Sequence, residues 1–136
     1  MSFCLFCAIG RAEVPAAVVF EDDACLAFLD HRPVFKGHTL VVPRAHVGTL
    51  SECPDELIPS LFGMARRIAV ALEAGLGAQG AFVAVNNKVS QSVPHLHVHV
   101  VPRRKGDGLR GFFWPRSKYE GPEEMDEFAA RIRAAV

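Results

Sequence analysis

Three histidines occupy alternate positions in the stretch VPHLHVHVVPR, at His95, His97 and His99. The chain has six histidines in 136 residues, so half of them fall within five positions. Imidazole ligates metals, and near neutral pH it is also a largely uncharged base and nucleophile. If the run is a strand, alternate side chains share one face, with Cα atoms about 6.5–7 Å apart. Leu96, Val98 and Val100 then face the core. Three chemistries fit the imidazole face. It is a polar surface that happens to hold histidines, a metal site in which alternate histidines ligate one ion, or a nucleophile oriented by its neighbours. A second reactive pair, Cys4 and Cys7, has the spacing of a metal-binding Cys-x-x-Cys. Cys25 and Cys53 stand alone in apolar surroundings. In a cytoplasmic protein, which we expect here, this pattern suits a metal site plus two reduced thiols rather than disulfides.

The elements that must position these residues are legible in the pattern. AAVVFEDDACLAFLD reads as two strands, 16–21 and 25–30, around a turn at Asp22–Asp23. GHTLVVP is a third, 37–43. Leu57, Leu61, Ala65, Ile68 and Leu72 recur at helical spacing. Asp55 and Glu56 suit that helix's first turn, and Gly75 or Gly77 its end. Pro59 belongs near the first turn, with a short turn before it. GAFVAVNN is a fourth strand, and the histidine run a fifth, ended by Pro102. The tail 121–136 reads as a second helix, with Met125, Phe128 and Ile132 on one stripe. Short turns between strands imply an antiparallel sheet. Two helices packed on it give an α+β fold in a single domain, 1–136.

Composition excludes several classes. Half the residues are apolar and 22% are charged, so the chain can build a core. Formal net charge is zero, which argues against a general nucleic-acid binder. No run is long enough to cross a bilayer, and the opening MSFCLFCAIG lacks the basic leader of a signal peptide. No membrane association is expected. Basic residues do crowd one segment: Arg103, Arg104, Lys105, Arg110, Arg116 and Lys118, offset only by Asp107.

His-Leu-His-Val-His-Val-Val resembles the His-x-His-x-His-x-x signature of the histidine-triad (HIT) superfamily. FEDDACLAFLD resembles the ribose-side strands of the Hint branch. GHTLVVPRAHVGTL resembles the shared Gly-His-x-Leu-Val-x-Pro-x-x-His stretch, and SQSVPHLHVHVVPRRKGD resembles the triad stretch of the Fhit branch. The pieces fall in the right order through most of the chain.

The resemblance implies a HIT fold of about five antiparallel strands with a main and a C-terminal helix. It implies an enzyme that cleaves at the α-phosphate of a purine nucleotide, most simply an adenosine one. His97 would be the nucleophile and form a nucleotidyl-histidine. His99 would hydrogen-bond the phosphate or leaving group. Gln91, Ser92 and Asn86 would donate to the phosphate, Asp30 would hold the ribose, and Leu5, Phe6, Phe28 and His31 would line the base pocket. Cys4, Cys7, His46 and His95 would hold a structural zinc ion. His38 matches a family histidine usually read as structural.

Substrates of this class are dinucleoside polyphosphates, which the basic stretch favours, or nucleotide phosphoramidates. A slow nucleotide-binding regulator is the alternative, and a metal-dependent hydrolase using all three triad histidines as ligands is a third. The resemblance also implies a homodimer, with Phe112, Phe113 and Trp114 too apolar to stay exposed. Ser90 and the short NNKVSQ loop depart from the longer glycine-rich stretch of relatives.

Overall fold

A computed structural model describes residues 3–110 and 116–136. Five strands form one antiparallel sheet: β1 (Val18–Glu21), β2 (Cys25–Leu29), β3 (Thr39–Pro43), β4 (Gly80–Ala84) and β5 (Val98–Arg103). Their spatial order is β1-β2-β3-β5-β4. Among the described residues three α-helices accompany them: α1 (Leu5–Gly10), α2 (Ile58–Leu76) and α3 (Pro122–Ala135). Asp22 makes the β1–β2 turn by accepting from the backbone N–H groups of Ala24 and Cys25 at 2.9 and 2.8 Å, an Asx turn of the expected kind. The first three strands start or stop one or two residues inside the expected limits, and β4 ends three residues short, at Ala84 rather than Asn87.

Both faces of the sheet are covered, and β3 is buried along its whole length. On one face α2 lays down Leu61, Met64, Ala65, Ile68 and Leu72 against Ala27, Val41, Val98 and Val100. Burying each of the larger side chains is worth about 1.5–3 kcal/mol. On the other face Phe6 of α1 packs with Leu26, Phe28, Leu40 and Val42. Pro59 lies in the first turn of α2, after a 3₁₀ turn at Asp55–Leu57, as its missing N–H requires. Gly77 stops the helix in the left-handed region, φ +68.

Four expectations need correction. Helix α1 was not legible: Cys4 caps it, its sulfur accepting from the Cys7 N–H at 3.5 Å. The histidine run is not a strand throughout. Strand β5 begins only at Val98, and the Leu96 N–H bonds the loop carbonyl of Val47 at 2.6 Å. On one side β4 ends at Ala84, opposite His99; on the other β3 runs on to Pro43, but its last pair with the run is Val41–Val98 and the Leu96 N–H is taken by the loop. Pro102 does not end the strand either. It pairs with Ala81 on one side, while β3 has begun only at Thr39, opposite Val100, on the other. A missing N–H is tolerated on that open side.

The fourth correction is α3. Its stripe forms as expected, but no residue of the helix is buried, and Met125, Phe128 and Ile132 are 51%, 43% and 63% exposed. Among the described residues only α2 therefore packs broadly on the sheet. Phe112, Phe113 and Trp114 lie outside the described residues. No helix among those described is long and apolar enough to cross a membrane.

Candidate functional site

The three triad histidines point to the α1 side of the sheet. Phe6 meets the rings of His95 and His97 edge-on at 5.8 and 5.1 Å, and the His97 and His99 rings are 4.9 Å apart. Each ring has a separate partner, and the partners set separate tasks.

His95 is fully buried. Its Nε2–H donates to the Pro43 carbonyl at 2.8 Å, which leaves the Nδ1 lone pair free. That lone pair lies 3.4 Å from Cys4 Sγ and 3.5 Å from Cys7 Sγ, and His46 Nδ1 lies 3.4 Å from Cys7 Sγ. All four ligand atoms sit within 4.8 Å of one another. A tetrahedral zinc ion with bonds of about 2.3 Å to sulfur and 2.0 Å to nitrogen would separate S and N ligands by about 3.5 Å. The set fits such an ion, and the Pro43 carbonyl is the outer partner that a ligating histidine needs.

His97 is 3% exposed, and its Nδ1–H donates to the His95 carbonyl at 2.8 Å. This fixes the tautomer with a lone pair on Nε2. Among the described residues His97 belongs to no group of potential metal ligands. A single ion held by all three triad histidines therefore has no support in the geometry.

His99 is fixed through His38. The Val34 N–H donates to His38 Nδ1 at 3.1 Å, so His38 must carry its proton on Nε2, 3.0 Å from His99 Nδ1. His99 Nδ1 accepts that proton's hydrogen bond, and the remaining His99 nitrogen, Nε2, carries N–H. His38 is thus a positioning residue, and both its nitrogens are committed. That commitment removes it as a ligand, although Asp30, His38 and His99 also lie within 4.8 Å of one another. Burial, then the nearby His97 and His38, push the His99 pKa down to about 4, against a smaller opposing effect of Asp30. The ring is neutral at physiological pH and acts as a donor, not a cation.

A pH dependence of stability follows. An unfolded imidazole titrates near 6.5, so between pH 6.5 and 4 the unfolded chain binds the proton that His99 refuses. This contribution is complete above pH 6.5 and is lost as pH falls toward 4. Denaturant titrations of wild type and His99→Asn should show a shallower loss between pH 7 and 5 in the variant. Parallel curves would contradict the assignment.

Beside His97 and His99 opens a pocket of about 600 Å³. Leu5, Phe6, Phe28, Asp30, His31 and Ser92, all singled out in the sequence, line it. Ile9, Val14, Ala17, Leu40 and Val93 line it too and carry no sequence signal of their own. Phe6 and Phe28 make an edge-to-face pair at 5.4 Å, an apolar wall suited to a flat ring. Asp30 uses one oxygen to accept the Arg32 N–H at 2.9 Å. Its other oxygen lies 3.8 Å from His38 Nδ1, beyond hydrogen-bond reach.

Two expected residues are not brought to the pocket. Asn86 is exposed and Gln91 is turned away. The Gln91 amide N–H donates to the Gly48 carbonyl at 2.7 Å, and its oxygen accepts the Lys88 N–H at 2.9 Å. The loop between them turns through Lys88 and Ser90, both at positive φ. Serine thus adopts the left-handed conformation that a glycine would take more easily. The basic segment is also partly committed. Arg103 pairs with Asp107 at 2.7 Å, and Arg104 donates to the C-terminal carbonyls of α2 at Leu76 and Gly77. These two arginines stabilise the turn and the helix end rather than facing a ligand.

Comparison with known proteins agrees with this architecture. Residues 11–106 match the HIT domain family. Protein hit of Bacillus subtilis is 38% identical over 132 residues, covering 95% of this chain and 91% of that protein. An adenosine 5'-monophosphoramidase of Schizosaccharomyces pombe is 30% identical over 135 residues, 98% of each chain. The adenylylsulfatase HINT3 of Arabidopsis thaliana is 35% identical over 108 residues, 78% of this chain and 55% of its own. Among solved structures, a HIT family protein of Bacillus subtilis superposes with TM-score 0.89 at 36% identity, covering 99% and 98% of the two chains. A zinc-bound histidine triad protein of Mycobacterium smegmatis superposes with TM-score 0.75 at 37% identity, covering 98% and 97%. The chain belongs to the HIT family.

Proposed function

We propose that the protein hydrolyses adenosine-type nucleotides at the α-phosphate through a nucleotidyl-histidine on His97. The carrying observation is the His97 Nδ1–His95 carbonyl bond. It leaves Nε2 unprotonated on a ring that lines a pocket walled largely by apolar side chains and carrying the Asp30 carboxylate. In the first step the Nε2–phosphorus bond forms and the bond to the leaving group breaks, the leaving group departing with the electron pair and taking a proton from solvent. In the second, water attacks phosphorus, the mononucleotide leaves, and a proton passes to solvent. Two easier displacements replace one hard one. The Nε2–H of His99 supports the charge that develops on the phosphoryl or leaving-group oxygen. In this reading Ser92 adds a second donor and Asp30 accepts from the ribose hydroxyls, and both line the pocket.

The favoured leaving group is small, as in a phosphoramidate. Arg103 and Arg104, the cations nearest the triad in sequence, are engaged elsewhere, which removes the main argument for a long polyphosphate. The Schizosaccharomyces pombe relative named as a monophosphoramidase points the same way. Cys4, Cys7, His46 and His95 would hold zinc as a closed structural set, with no open position for substrate. The working protein is read as a cytoplasmic homodimer.

The test is to mix the protein with adenosine phosphoramidate or diadenosine triphosphate, quench within milliseconds and weigh the intact chain. A nucleotidyl adduct, with the phosphoramidate turned over faster, supports the reading. Tight binding without turnover of either substrate would make this a nucleotide-binding protein and overturn it.

A further inference from the structure

A second cavity lies mainly on the α2 face of the sheet, away from the triad. It is a groove of about 480 Å³ between α2 and the β1 edge, within the size range of small-ligand sites. Among the described residues it shares only Leu29 with the pocket beside His97. Its helix wall runs from Arg67 to Leu76, so the groove follows α2 for about 13 Å. Val19, Phe20 and Leu29 form the sheet wall, and Val19, Leu29 and Leu76 are 47%, 38% and 50% exposed. Ala71 and Gly75, one turn apart, keep the helix wall low. Among the described residues no side chain beyond its chain neighbours comes within 4 Å of where a Gly75 Cβ would stand.

Among the described residues three of the lining side chains are polar. Thr39 is engaged, its hydroxyl donating to the Gly37 carbonyl at 2.9 Å. The other two, Lys36 and Arg67, are cations, and no acidic residue lines the groove. Neither cation is paired with a carboxylate among the described residues. The groove therefore offers a ligand apolar surface and positive charge, with no free hydrogen-bonding side chain along its middle. A sugar or nucleotide would lose its water there without replacement. The two cations stand at opposite ends. Arg67 lies over the Phe20 ring at 4.8 Å, which holds its guanidinium at the wall. Lys36 precedes Gly37, whose Cβ position lies 2.5 Å from the Leu76 side chain at the far end of α2. A guanidinium grips a carboxylate through two parallel hydrogen bonds, and an ammonium does not. Lys36 is also exposed, and a charge at the Arg67 end lies beyond the ~8 Å screening length of physiological salt.

We propose that the groove binds the anion of a free linear aliphatic acid, with its carboxylate on Arg67 and its chain lying along α2 toward Gly37. At about 1.25 Å per carbon, set by C–C bonds of ~1.5 Å, a chain of about ten carbons spans the groove. A neutral chain leaves the Arg67 charge unanswered, and a much shorter acid leaves Leu72 and Leu76 uncovered. The site does not depend on the nucleotide chemistry assigned to His97.

The test is calorimetric titration of the full chain with sodium decanoate below its micelle concentration, with sedimentation run alongside. Wild type should bind decanoate saturably, one per chain and about tenfold tighter than decanol, the advantage of a paired carboxylate. Decylamine should not bind. Arg67→Gln should weaken decanoate about tenfold and remove its advantage over decanol, whereas Lys36→Gln should change it less than about twofold. Ala71→Phe and Gly75→Leu each fill the groove and should abolish binding. Melting curves show whether each is folded, and either one alone suffices. Absence of saturable binding to wild type overturns the proposal. So does decanol that binds as well as decanoate, or binding that survives a folded filling variant. A greater loss in Lys36→Gln than in Arg67→Gln overturns it by misplacing the carboxylate. Separation of associated chains by decanoate would make the groove a protein contact, and the proposal would fall.

Discussion

Replacing His97 with alanine is expected to lower kcat against adenosine phosphoramidate by about four to six orders of magnitude, the range seen when a nucleophile is removed. No adduct should form, and the dissociation constant for AMP should change by no more than a few-fold. The reasoning is geometric. His97 Nε2 is the one triad nitrogen in the pocket left with a free lone pair: His95 turns its lone pair to the cysteines, and His99 faces the pocket with N–H. No neighbour can substitute, because His99 accepts from His38 and cannot present a lone pair without breaking that bond. His97→Asn fills similar volume and should be equally inactive, which separates chemistry from packing. His99→Asn should lose less, roughly two orders of magnitude, since it removes a donor and leaves the nucleophile. A His97→Ala enzyme that retained a tenth of wild-type rate would mean that water attacks directly, and the covalent mechanism would fall.

Much of this was readable in the residues, for physical reasons that differ by element. Helix α2 was legible because nineteen residues of regular apolar spacing admit one period. Helix α1 was not, because six residues are too few to show one; the thiol cap and the contact of Phe6 with His97 hold it. The extent of β5 was misread because pairing with β3 stops at Val98 and with β4 at His99, and single-strand alternation does not report where a ladder stops. The α3 stripe was legible, but periodicity reports a face and not what covers it. In the site, Asp30, Phe6, Phe28 and His31 came from the resemblance, and the structure gathers them into one pocket. Gln91 came the same way and is turned aside, because left-handed turns at Lys88 and Ser90 redirect its side chain to Gly48.

If zinc fills the proposed Cys4–Cys7–His46–His95 site, its removal is expected to lower the melting temperature by about 10 °C and the turnover rate by roughly tenfold or more, with Cys7→Ser behaving like the chelated protein. Isolated structural zinc domains draw about 10–16 kcal/mol from their metal. Here the sheet has its own core against α2, so a loss of about 3–5 kcal/mol is expected, and each kcal/mol shifts the melting point of a chain this size by a few degrees. The effect on rate follows the bonds. Cys4 and Cys7 bracket Phe6, which leans on His97, and His95 supplies the carbonyl that holds the His97 tautomer. Losing the ion loosens the nucleophile from both sides. The Gln91–Gly48 and Leu96–Val47 bonds carry the disturbance from the His46 loop to Ser92. Because the ion touches no substrate, activity should decline with the loss of structure, as followed by amide exchange in α1. Activity that vanished the moment chelator was added, with α1 still protected, would mean that the metal takes part in the chemistry.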